Sequence, residues 1–121
     1  MSLSKVESLP IEMKIGDRIY EILAPLKESE KRILHRKMLE RVLEMKANSG
    51  EDDGQYLLNH QENIPVVLQG KVAFIFPEWH NHDHPEYVCY IYWKDGCWIT
   101  GWQLFAYDYW EDNGRVLRRK K

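Results

Sequence analysis

At 121 residues, with 44% hydrophobic and 30% charged side chains, the chain has the size and composition of one folded domain, 1–121, and not of a disordered one. A formal net charge of −2 excludes a global pull toward nucleic acid or anionic membrane. No apolar run approaches the roughly 20 residues of a membrane helix, and the 2 cysteines are too few for a disulfide scaffold.

Residues 1–10 read as a loose lead-in. MSLSKVESLP has no hydrophobic signal core, so a cytoplasmic location is the expectation. Ile11, Met13 and Ile15 alternate with Glu12 and Lys14, the pattern of a short edge strand. Gly16-Asp17 interrupts it. Asp17 then caps a short helix carrying Ile19, Tyr20, Ile22 and Leu23, a stretch that also reads as a strand. Pro25 opens the next element, and residues 26–47 give the clearest helix. Leu34, Met38, Val42 and Met45 follow helical spacing, widened by Ile33, Leu39 and Leu43. Its other face, from Lys31 to Glu44, is charged and reads as solvated, with His35 as a structural residue on the flank. Asn48-Ser49-Gly50 ends the helix, and Glu51-Asp52-Asp53-Gly54 reads as an acidic surface turn.

Residues 55–63 suggest one helical turn containing His60. From Ile64 the pattern becomes β-rich. Pro65–Leu68 and Val72–Phe76 are apolar runs split by Gln69-Gly70-Lys71, a tight hairpin on this reading. Tyr87–Trp93 and Trp98–Phe105 flank Lys94-Asp95-Gly96-Cys97, where Asp-Gly signals a two-residue type I′ turn. Asp112-Asn113-Gly114 repeats the signal and joins Tyr107–Glu111 to Arg115–Arg118, before a basic tail at 119–121. The expected fold is α+β: N-terminal helices packed on an antiparallel, curved β-meander of about five strands over residues 64–119.

With Asp95 and Gly96 as turn residues, Lys94 faces Cys97, Trp93 faces Trp98, Tyr92 faces Ile99, and so on to Val88 facing Gln103. One face then carries Cys89, Ile91, Trp93, Trp98, Thr100 and Trp102. The other carries Val88, Tyr90, Tyr92, Ile99 and Gln103. Both faces are apolar or aromatic, although a sheet with one wet face alternates apolar with polar. A single helix covers one face only, so the second calls for the folded-over meander, another subunit or a ligand. The same register holds Cys89 roughly 17 Å from the position opposite Cys97, too far for a disulfide, which makes both thiols free.

The stretch PEWHNHDHPE, 77–86, holds His80, His82 and His84 at alternate positions. Neighbouring pairs on an extended segment lie on one side and can share a zinc or another divalent transition metal. All three need a bend, because His80 and His84 stand about 13 Å apart when extended. Asp83, Glu78, Glu86 and His60 are the further ligand candidates. The run is one residue short of the His-x-His-x-Asp-His of metallo-β-lactamase-type hydrolases. No histidine follows residue 84, as a cupin barrel would need. Pro77 and Pro85 bracket the stretch, so a polar or pH-sensitive loop is the simpler reading.

The leading functional expectation is a small non-enzymatic interaction module. It would self-associate as a homodimer, or bind a protein partner, through an aromatic-rich surface comprising Trp79, Tyr90, Tyr92, Trp93, Trp98 and Trp102, with no catalytic residue assigned and no cofactor required. YIYWKDGCWITGW, 90–102, resembles the strand–Asp-Gly–strand hairpin of cone-shaped NTF2-like domains. That resemblance implies a small pocket protein or enzyme, with Tyr90, Tyr92, Trp98, Trp102, Asp108 and the histidine loop lining its cavity. Arg115, Arg118, Arg119, Lys120 and Lys121 would serve nucleic acid, a reading that the negative net charge disfavours.

Overall fold

The structure is a computed structural model that describes residues 9–104 and 109–120. The chain enters on strands. β1 (Glu12–Ile15), β2 (Arg18–Leu23) and β3 (Arg32–Leu34) precede two helices, α1 (His35–Met45) and α2 (Glu51–Asn59). Then come β4 (Ala73–His80), β5 (Tyr87–Lys94), β6 (Cys97–Leu104), β7 (Tyr109–Glu111) and β8 (Gly114–Lys120). Six strands form one sheet in the order β1-β2-β8-β4-β5-β6, and β3 with β7 forms a second, two-stranded one. The main sheet is mixed, since β4 and β8 run parallel while its other described pairs are antiparallel. The expected arrangement of N-terminal helices on a five-stranded meander is therefore overturned: the helices lie mid-chain, strands flank them on both sides, and the sheet is not a meander.

Each revision has a physical cause. Residues 18–23 are strand because Tyr20 and Ile22 point into the core, flanked by β1 on one side and β8 on the other. Gly16, at φ +57°, makes the tight turn before them. The long helix starts nine residues later than expected. Glu30 turns back to accept from the Lys27 N–H at 2.6 Å, and residues 32–34 pair with β7 instead. Lys46, in the left-handed conformation, stops α1. The acidic run opens α2 as its first turn, where carboxylates complement the positive end of the helix dipole. Val66–Leu68, expected as a strand, is a 3-10 turn entered through Pro65, so no hairpin forms around Gly70. Asp112-Asn113 carries the chain from the small sheet into the large one rather than closing a hairpin. β8 runs through Arg119 and Lys120, pairing them with Tyr20 and Ile19.

The β5–β6 hairpin forms in the register read from the sequence, from Lys94↔Cys97 to Val88↔Gln103, with Asp95 and Gly96 at φ 51° and 88°. Both of its apolar faces pack against core residues from within the chain, with Thr100 and Trp102 of β6 left exposed. On one side, Phe74, Phe76, Cys89, Ile91 and Trp98 join Tyr20, Leu117, Leu57 of α2 and Leu68 in the larger core. On the other, Ile75, Val88 and Val116 pack with Met38 and Val42 of α1, Ile33 of β3 and Trp110 of β7. His35 is buried there as a structural residue, accepting the Trp110 indole N–H on Nδ1 at 2.7 Å.

Candidate functional site

The histidine stretch divides between strand and turn. β4 continues through Pro77 to His80, and the register with β5 jumps between Phe76 and His80, so a bulge absorbs the proline. Only 81–86 is connection. Asn81 organises it: its side-chain oxygen accepts the backbone N–H groups of Asp83 at 2.9 Å and His84 at 3.0 Å. The Tyr87 N–H closes on the His84 carbonyl at 3.0 Å. His80 donates its Nδ1–H to the Pro85 carbonyl at 2.9 Å.

The three imidazoles are thereby given separate neighbours. His82 stands 3.8 Å from Glu51 of α2, and His84 stands 3.9 Å from Glu86, both in exposed surroundings. His60 stacks on Tyr56. Among the described residues, no group of three His, Cys, Asp or Glu side chains is arranged to hold a metal ion. Cys89 is buried and Cys97 exposed, and both are free thiols, as the register required. Burial pushes the Cys89 thiol up to about 12, which makes it a poor nucleophile.

The structure separates the aromatic residues that the sequence grouped. Trp98 (1% exposed) and Trp79 (5%) belong to the larger core. Tyr90 packs edge-on against Trp110 and lies beside Tyr92 on the opposite face, while Trp93 is half-buried against Trp98. Trp102, at 39%, is the large exposed aromatic of the hairpin. It rests edge-on against Trp79 and lines a concavity of about 460 Å³ with Asn81, His84, Glu86 and Tyr87. Tyr87 was missed in the sequence reading, yet alternation places it on the face of Cys89 and Trp102. Asp108, the other pocket candidate, lies outside the described residues.

β6 supplies a second feature. It is the last strand of the main sheet, with β5 on one side only. Cys97 and Lys94 flank a two-residue turn and form a hydrogen-bonded pair, so alternation points the backbone N–H and C=O of Trp98, Thr100 and Trp102 away from β5. Trp98 is satisfied by Gln61, whose side-chain amide accepts its N–H and donates to its carbonyl, both at 2.9 Å. The amide acts as a one-residue substitute strand. Thr100 and Trp102 lie beyond it, both exposed. Between them, Gly101 lets the Tyr90 ring lie flush on the backbone, since an added Cβ would stand 2.6 Å from its Cζ. No residue of β6 carries a charge.

No family model, curated protein or solved structure matches this chain.

Proposed function

We propose that the chain is a small non-enzymatic interaction module whose working surface is the outer edge of β6, where a strand from another protein or from a second copy is added. The observation that carries this reading is the unblunted edge. Natural edge strands are protected by charges, prolines, bulges or short length. β6 is eight residues long, uncharged and free of proline. Among the described residues, Gln61 seals its first outward position, Trp98, while Thr100 and Trp102 are exposed, the latter as an apolar anchor. The sequence reading placed the interaction on a sheet face. Burial of Trp79 and Trp98, with Trp102 exposed on the outermost strand, favours the edge beside it.

Hydrogen exchange tests it at residue resolution. In dilute protein the Thr100 and Trp102 amides exchange rapidly, while those of Ile99 and Gly101, directed at β5, are protected. Protection at Thr100 and Trp102 then rises when the protein is concentrated or a strand-forming peptide is added. Slow exchange of both amides in dilute monomer would mean that the edge is already covered, and the reading would fall.

A further inference from the structure

Resting on that reading of β6, we infer that the strand it accepts is a basic one: an extended segment with a Lys or Arg side chain whose cation settles between Trp102, Tyr87 and Glu86. The charge of the concavity points this way. Glu86 is the one carboxylate or fixed charge in its lining; the remainder is two aromatic rings, an imidazole and the Asn81 amide. The Asn81 oxygen is occupied by the two backbone N–H groups of its own turn, so Glu86 is the strongest acceptor on offer. Aromatic faces beside a carboxylate attract a cation and give an anionic side chain nothing to bind.

Reach narrows the choice further. An added strand lies about 4.8 Å beyond β6, and so two spacings, about 10 Å, from β5, which Glu86 immediately precedes. A side chain standing opposite Trp102 must cross the indole to approach that carboxylate. Lys and Arg have the length and the apolar stem to do so, lying on the ring while the charged end meets Glu86. At the other end of the edge, Glu62 beside Gln61 and Lys94 beside the turn are both exposed and oppose each other in sign. The Trp102 end therefore sets the preference.

The test uses the full chain and a blocked peptide of sequence Thr-Val-Thr-Lys-Thr-Val-Thr, followed through the Thr100 and Trp102 amide signals. Both amides should shift on titration. Replacing the central Lys by norleucine, which keeps the stem and removes the charge, should weaken binding roughly tenfold. Glu86→Gln, an exposed substitution that leaves both cores untouched, should bring the two peptides close to parity, and Trp102→Ala should weaken both. Equal binding of the Lys and norleucine peptides to the unmodified protein would overturn the cation site while leaving edge docking intact. If neither peptide moves the two amides, edge docking itself falls. If the protein pairs with itself through Thr100 and excludes the peptide, the occupant is a second copy and the basic partner is wrong.

Discussion

Gly54 sits where helix propensity and packing oppose each other. It lies inside α2, where alanine would favour the helix by about 1 kcal/mol. Yet a Cβ there would overlap the six-membered ring of Trp79 on β4. Packing should win, because the indole is wedged between Phe76 and Trp102 and cannot retreat cheaply. Gly54→Ala is therefore expected to destabilise the fold by about 1–3 kcal/mol, measured as a fall in the urea midpoint. A rise would show that Trp79 is not held as described. Single residues were also where the sequence was least informative. Trp98 and Trp102 differ by four positions and share a face, but one is buried and the other open. Trp98 shares the larger core with Ile64 and Leu68 of the segment after α2, whose Gln61 also bonds its backbone. No periodicity within β6 encodes that.

At the scale of elements, patterns with a two-residue period and a definite turn were legible. The β5–β6 register follows from Asp95-Gly96 alone, and β1 follows from its alternation. The helix boundaries were not, because long-range pairing overrode local spacing. Residues 26–34 have apolar positions that suit a helix, but β3 is claimed by β7, and the preceding turn is claimed by Glu30. That carboxylate holds Arg41 of α1 through two hydrogen bonds, at 2.5 and 2.8 Å, and also accepts from the Lys27 N–H. The Arg41 guanidinium, followed by the Lys27 N–H, holds the Glu30 carboxyl down at about 2. A depressed carboxylate stabilises the fold above its unfolded-state value and loses that contribution as pH falls toward its folded value. The turn before β3 should thus loosen between about pH 4.5 and pH 2. Glu30→Gln should lower the melting temperature at neutral pH and flatten its decline across that window. Parallel melting curves for the two proteins from neutral pH to pH 2 would remove Glu30 from the acid response.

For the whole molecule, the decisive element is β8. It lies between β2 and β4, joining a hairpin from the start of the chain to a three-stranded unit from its second half. In the sequence, RVLRRK looked like a strand fading into a basic tail. Three of its four cations in fact meet acids far away in the chain: Arg118 meets Glu21 at 2.6 Å, Lys120 meets Glu12 at 2.9 Å, and Arg119 approaches Asp53 at 3.9 Å. Val116 enters one core and Leu117 the other. Alternation and composition could propose a strand here, but not its neighbours, since a central insertion depends on distant partners, those on the β1–β2 side more than ninety residues away. A chain ending at Asn113 should therefore fail to fold cooperatively, losing its sharp thermal transition while the β5–β6 hairpin retains residual structure. A truncated protein that melted as sharply as the full chain would contradict the central role of β8.

That placement carries a consequence for how the protein is made. Synthesis runs from the N-terminus, so residues 114–120 leave the ribosome after everything they unite. Until then β2 and β4 each present a bare backbone edge, and both halves of the sheet await one late segment. Nascent chains stalled before residue 114 should thus be protease-sensitive and prone to strand-mediated clumping, and emergence of β8 would act as a single closing stitch.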